Sequence, residues 1–408
     1  MIETRKLPNG ITLITDHMDG IRSTAIGIMC NTGSSNERPE EYGISHFIEH
    51  MLFKGTLNRT PYEIVDEIDS MGGEVNAFTG KEVTCFYVKC LDEHLYKSAD
   101  VLVDMIENPL FDANEMEREK LVVIEEINMT QDDPDDVAMD ALEEYVYAGS
   151  GFDHPVLGTK DTVSAFTRDM LVEYYREHYT KDSIVVSVAG SFDIDELEEY
   201  FSSKFLNLEG EQRKDRTGKL DAITDNKVIV KDVEQAHIVL GVPSVSATHK
   251  YRYVLSMIST ILGGGMSSRL FQHVREEKGL AYSIYSMNSF YTNCGSFIIA
   301  AGVAKDRVEE ALEAIKIELD KLANEPVNEH EFSSAKEQLK AAYIFSKEAV
   351  KSRMTGNARN YFALGYCPDQ DEILGILDKI SQSDIEDAKL IISDYSKYSF
   401  INVTGKMA

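Results

Sequence analysis

His46-Phe47-Ile48-Glu49-His50 (HFIEH) is the stretch on which the reading of this chain turns. On a helix the two histidines stand at i and i+4, one turn apart on one face, so both imidazoles can reach a single metal ion. Phe47, Ile48, Met51 and Leu52 supply an apolar face for packing, and Gly55 suits the helix end. Glu49, one residue before His50, can approach the same ion without ligating it, which is where a general base for water at a metal would sit. The competing reading is a pair of partly buried helix histidines with no metal. A zinc enzyme of this kind needs a third protein ligand, so a carboxylate or histidine must come from elsewhere in the chain.

The segment from Asn114 to Thr130 offers one. Read as a helix, it carries Glu119 and Glu126 seven residues apart, about two turns, on a shared face, while Glu125 points about 100° away from Glu126. Leu121, Val122, Ile124 and Ile127 are expected to pack inward nearby. Periodicity alone leaves these glutamates open, either as ligands or as solvated residues beside an apolar face.

Outward from these two helices, strand and helix signals alternate along the whole length. Ile11 to Thr15, Thr24 to Cys30, Val83 to Lys89 and Ile184 to Val188 are rich in β-branched or aromatic residues, as half-buried strands require. Pro61 to Met71 reads as a helix, with proline at its first position and Gly72-Gly73 past its end. The polar, aperiodic run 209–226 reads as a linker, which divides the chain into an N-terminal domain over 1–208, the candidate zinc-binding one because it holds HFIEH, and a C-terminal domain over 227–408. After it the signals restart, with strands at Lys227 to Val230, His237 to Val242, Phe297 to Val303 and Ser399 to Val403. Helices are expected at Tyr251 to Leu262, Arg307 to Leu322 and Glu329 to Val350. The two halves repeat a similar order, which suggests a degenerate duplication of about 200 residues.

Length and composition set the outer bounds. At roughly 100 to 200 residues per domain, 408 residues imply two to four domains with ample core. No apolar run approaches the roughly 18 residues of a membrane helix, so no membrane partner is expected. With 70 acidic against 41 basic residues the net charge is −29, which argues against nucleic acid and for a cationic partner. Five widely spaced cysteines with no CxxC pair read as buried thiols, and the start of the chain lacks the apolar core of a secretion signal; a cytoplasmic protein is expected.

Several segments together resemble the pitrilysin/insulinase family of zinc metallopeptidases, most of all the branch of mitochondrial processing peptidase and its bacterial relatives. They are the inverted motif His46 to His50 with EREKLVVIEEI after it, the opening LPNGITLITD, GGEVNAFTGKEVTCFYV, His154-Pro155-Val156-Leu157-Gly158, and SSRLFQHVREEKGLAYSIYS. The resemblance implies zinc held by His46, His50 and Glu126, Glu49 as general base, and Glu119 as a supporting carboxylate behind the ligands. It also makes the strand containing Asn76, Ala77 and Phe78 an edge to which an extended peptide adds through main-chain hydrogen bonds. Without the family, that stretch reads as an ordinary strand.

In the second half, Arg275 and Tyr282 match the family's arginine and tyrosine that reach the substrate near the metal, where a guanidinium and a phenol suit a peptide carbonyl and its oxyanion. Alone, Arg275 reads as a solvated or ion-paired surface residue. Gly263-Gly264-Gly265 lacks the Gly-Lys-Ser/Thr of a phosphate loop and reads as a turn between helices. The expected architecture is α+β, two similar domains, each a mainly antiparallel sheet with helices packed on one face. The expected activity is endoproteolysis of peptides or unfolded segments, basic ones favoured. Relatives of this size imply a homodimer, or a heterodimer with a paralogous subunit, in which Arg275 and Tyr282 act in trans; the alternative is a noncatalytic scaffold subunit of such a dimer.

Overall fold

The computed structural model describes residues 2–208, 210, 212, 213 and 220–406, so the linker expected at 209–226 lies partly outside the described residues. The first half of the chain supplies strands Ile2–Lys6 (β1), Thr12–His17 (β2), Ser23–Cys30 (β3), Glu74–Thr79 (β4), Thr84–Leu91 (β5) and Ile184–Gly190 (β6). Its helices are Ile44–Leu52 (α1), Pro61–Asp69 (α2), Leu95–Glu107 (α3), Ala113–Asp132 (α4), Pro134–Val146 (α5), Lys160–Ala165 (α6), Arg168–His178 (α7) and Ile194–Ser202 (α8). The second half supplies Asn226–Val230 (β7), Ala236–Ser244 (β8), Ala281–Phe290 (β9), Gly295–Val303 (β10) and Ser399–Thr404 (β11). Its helices are Arg252–Gly263 (α9), Val308–Asn324 (α10), Glu329–Ser346 (α11), Val350–Leu364 (α12), Gln370–Lys379 (α13) and Gln382–Lys389 (α14), with a π-helical segment Phe271–Glu277 after α9.

Each half builds one mixed, mainly antiparallel sheet. The first has the order β1-β2-β6-β3-β5-β4, with only the β2/β6 pair parallel. The second has the order β7-β11-β8-β10-β9, with only β7/β11 parallel. Strand β4 therefore forms an open edge of the first sheet, hydrogen-bonded to β5 on one side.

Alternation along the strands sorts the core. Ile26, Ile28, Phe86 and Val88 point to the face covered by α1 and α3. Ala25, Met29, Cys85 and Tyr87 point the other way, where Val350, Met354 and Ala358 of α12 cover them. Gly27 makes room there, since a Cβ on it would lie 2.4 Å from Met354 Sδ. The second sheet repeats the arrangement: Ile238, Leu240, Phe297 and Ile299 share a core with α9 and α10, and Val239, Ile298 and Ile401 pack against Ala138, Ala141 and Leu142 of α5. The helices thus lie mainly on one face of each sheet, and one further helix covers part of the opposite face.

By packing, the first unit draws on Met1–Asn128, His154–Thr217 and Phe345–Asp369, and the second on Met129–Asp153, Gly218–Ile344 and Gln370–Ala408. These packing units exchange one helix each relative to a contiguous division of the chain. The helix expected over Glu329 to Val350 ends at Ser346, and a new one starts at Val350, because Val350, Met354 and Ala358 belong to the core of the first unit. No helix among the described residues is long and apolar enough to cross a membrane.

Candidate metal centre

Helix α1 has two unlike sides. Ile44, Phe47, Ile48, Met51 and Leu52 are fully buried, as spacing of three and four residues dictates, and this fixes the helix on the sheet. The opposite side then presents His46, Glu49 and His50 together, the histidine side chains 14% and 17% exposed. Their rings lie 4.6 Å apart, centroid to centroid.

Helix α4 delivers the carboxylates. Its inner face consists of Met116, Glu119, Lys120, Val123 and Ile127, whereas Leu121 and Val122, expected inside, are exposed. Glu126 flanks that inner face and Glu125 points to solvent. Glu126 Oε2 stands 3.8 Å from His46 Nε2 and 3.5 Å from His50 Nε2, and one ligand atom from each of the three residues lies within 4.8 Å of the others. Two imidazole nitrogens and a carboxylate oxygen, converging in this way, match the three-protein-ligand set of catalytic zinc sites.

Glu119 lies behind this cluster. Its Oε1 accepts from His50 Nδ1 at 2.8 Å and its Oε2 pairs with Lys54 Nζ at 2.7 Å. With Nδ1 carrying the proton, the Nε2 lone pair of His50 faces Glu126. Burial would raise the Glu119 carboxyl, but the bonds from His50 and Lys54 outweigh it and hold it below the ordinary glutamate value. Burial would likewise lower His50, and the carboxylates around it reverse the sign, with a net upward shift. Glu119 does not reach His46; burial, then the neighbouring His50, push its imidazole down to about 3, so the ring is neutral near pH 7 and one of its nitrogens has a lone pair to offer.

Glu49 is half-buried beside His50. Its Oε2 accepts a hydrogen bond from the Thr79 hydroxyl at the end of β4. Burial raises its carboxyl, and the charge of Glu126 adds to that against the opposing effects of Thr79 and His50. A carboxylate raised in this way is a better proton acceptor near neutral pH than a solvated one.

Asn76, Ala77 and Phe78 lie on the open-edge strand β4, one to three residues before Thr79. Ala77 N–H is taken by Asn76 Oδ1 at 2.8 Å, and the Phe78 ring lies under the Arg359 guanidinium of α12. Arg275 and Tyr282 belong to the second unit. The Arg275 guanidinium sits 5.7 Å from the Tyr282 ring centre and 4.5 Å from that of Phe271, in the π-helical segment. Gly263 ends α9 and Gly264-Gly265 form the turn that follows.

Sequence reasoning missed Lys54 and Thr79. Lys54 lies two residues past the end of α1, where the chain has left the helix, so helical spacing did not report its pairing with Glu119. Thr79 reaches Glu49 only through the pairing of β4, which no local pattern reports.

A family model described as "Insulinase (Peptidase family M16)" matches residues 12–160, and one described as "Peptidase M16 inactive domain" matches residues 165–339. The uncharacterized zinc protease YmxG of Bacillus subtilis is 38% identical over 412 residues, covering 100% of both chains. The chain belongs to the insulinase family, peptidase family M16. An uncharacterized zinc protease of Rickettsia felis is also 38% identical, over 93% of this M16 chain and 92% of its own. Among solved structures, a protease from Helicobacter pylori superposes with a TM-score of 0.92 at 21% identity, over 99% of each chain. A peptidase M16 inactive domain from Pseudomonas fluorescens superposes with a TM-score of 0.90 at 16% identity, over 100% of this chain and 98% of that one. At those identities the two structures speak for the M16 fold alone.

Proposed function

We infer that this M16 protein is a zinc-dependent endopeptidase that hydrolyses peptides or unfolded segments. The convergence of His46, His50 and Glu126, with Glu49 on the same helix turn, is the observation that carries the reading. The relatives' description as zinc proteases supports the choice of metal. Zinc bound by the three residues supplies a Lewis acid that lowers the pKa of water toward about 7 and polarises a carbonyl.

The remaining work falls to the chain. Glu49 takes the proton of the attacking water and passes it to the leaving amine nitrogen, a transfer its raised carboxyl pKa suits. Glu119 holds the His50 ring in one tautomer and one orientation. An extended peptide adds to β4 beside Asn76, Ala77 and Phe78, and is thereby aimed at Glu49, whose carboxylate is already tied to Thr79. Main-chain pairing of this kind tolerates many sequences. Arg275 and Tyr282 donate to the substrate carbonyl and its oxyanion, supplied in trans by a second copy or a paralogous subunit. The net charge of −29 favours basic peptides, and the five free cysteines fit a cytoplasmic enzyme.

The test pairs zinc content per chain with cleavage of a quenched basic peptide, for the wild type and for Glu126→Gln. About one zinc per wild-type chain, lost together with activity in the variant, supports the assignment. A wild-type chain that takes up no zinc and cuts nothing overturns it and leaves the noncatalytic scaffold in its place.

A further inference from the structure

Helix α1 has only nine residues and begins without a side-chain cap of its own, because the residue at that position is Gly43, at φ +94°. Its first donors are satisfied from outside. Glu37 Oε2 accepts from Gly43 N–H at 2.7 Å, and Glu37 Oε1 accepts from Ser45 N–H at 2.8 Å. The Glu37 side chain is 0% exposed. A carboxylate so deeply buried is tolerable only when its oxygens are bonded, and here they meet the positive end of a helix.

A second layer stands behind it. His154 Nε2 lies 3.5 Å from Glu37 Oε2 and 2.9 Å from Ser34 O, and its ring stacks on Tyr42 at 3.7 Å and 12°. Gly158, four residues on, meets the same turn: a Cβ there would lie 2.1 Å from Tyr42 O, and its φ is +69°. The segment His154 to Gly158 supplies none of the three proposed ligands, yet it is built against the start of the helix that carries the histidines.

We propose that Glu37, backed by His154, is a positioning residue for the metal centre, fixing the first turn of α1 and with it the placement of His46 and His50 against Glu126. This rests on the reading of those three residues as the zinc ligands. The leverage is geometric. His46 follows Ser45 directly, Glu126 comes from a different helix, and a helix this short does not hold its own first turn in water. Releasing that turn lets both imidazoles drift relative to the carboxylate they must share an ion with.

The test is zinc affinity by chelator competition, well below the melting temperature, on the wild type, His46→Ala, Glu37→Gln and His154→Gln. Amide hydrogen exchange of the zinc-free chains is measured alongside. The expected result for Glu37→Gln is zinc binding weakened about tenfold or more, with faster exchange over the amides of Gly43 to Leu52. A merely structural residue would lower the melting temperature and leave the affinity of the folded site alone, so affinity within twofold of wild type overturns the proposal. If Glu37→Gln does not fold, His154→Gln decides, with a loss of about threefold or more expected and no loss overturning it. Wild-type chains that bind no zinc, or His46→Ala chains that keep it, would instead overturn the ligand reading and this proposal with it.

Discussion

His50 Nδ1 and Glu119 Oε1 stand 2.8 Å apart, and the second oxygen of the same carboxylate is held by Lys54. The contact ties the histidine side of α1 to the buried face of α4. It makes the orientation of His50, one proposed ligand, depend on a residue seven positions before Glu126, another.

Replacing Glu119 with Gln removes the charge from this bridge and leaves Lys54 without its counter-ion. We expect zinc affinity to fall about 10- to 100-fold, with catalysis recovering at saturating zinc. Chelator competition followed by activity at graded free zinc checks both parts. Unchanged affinity would show that Glu119 serves packing rather than the ligand.

Glu49→Gln keeps the shape of the side chain and its bond with Thr79 but cannot take a proton. We expect kcat to drop about 10²- to 10⁴-fold or more while zinc content stays at the wild-type level. Single-turnover hydrolysis alongside metal analysis separates the two, and wild-type turnover would remove Glu49 from the role of base.

These two residues also show how far the sequence was legible. The i and i+4 histidines of HFIEH fall in register with the helical turn and stand out in one dimension, whereas periodicity left Glu119 and Glu126 open and only the family resemblance gave them roles. The structure brings those residues together. What depends on distant packing did not show. Strand β1 was missed because an edge strand with half-exposed side chains has weak alternation. The exposure of Leu121 and Val122 was missed because a helix's apolar residues do not say how much of its circumference a neighbour covers. Helix α12 was missed, and the expected helix before it ran on through Lys347-Glu348-Ala349 to Val350, since nothing local there reports that Met354 fits over Gly27.

The fold carries its own acid-sensitive joint in the first unit. Asp104 accepts from Asn58 Nδ2 at 2.6 Å, Asn108 Nδ2 at 2.8 Å and an Arg59 nitrogen at 2.9 Å, and Arg59 also pairs with Glu67 and Asp100. Burial raises the Asp104 carboxyl, but these bonds, with that of Thr56, win and hold it below the ordinary aspartate value. A depressed carboxyl stabilises the fold fully above its unfolded value of about 3.9, and that stability is lost as pH falls through the folded value. Asp104→Asn should therefore be about 1.5 to 3 kcal/mol less stable at neutral pH and lose less further stability than wild type on going below about pH 4. Denaturant unfolding at several pH values checks this, and parallel pH curves for the two proteins would count against it.

Gly158 has a narrower tolerance. Its positive φ and the 2.1 Å approach to Tyr42 O leave no place for a methyl group unless the backbone moves. Gly158→Ala should cost about 2 to 4 kcal/mol or prevent folding, whereas Gly365→Ala, equally positive in φ but with open space around it, should cost about 1 kcal/mol. Thermal unfolding of the two variants side by side is the measurement, and equal losses would remove the steric argument.

The strong acidity predicts a salt dependence that is specific to the substrate's charge. Glu119 and Glu126 both approach His50, Glu49 feels the charge of Glu126, and the chain as a whole carries −29. A cationic peptide is drawn by that field at low ionic strength, where the screening length is about 30 Å at 0.01 M, and far less at 1 M, where it is about 3 Å. The attraction acts on encounter, so it should appear in kcat/KM and leave kcat nearly unmoved. We expect kcat/KM for a peptide with several lysines or arginines to fall about tenfold or more across that range, and for a neutral peptide of the same core sequence to change by less than about twofold. Equal salt responses would mean that the acidity serves solubility alone, and that recognition rests on the main-chain pairing at β4, which is indifferent to side-chain charge.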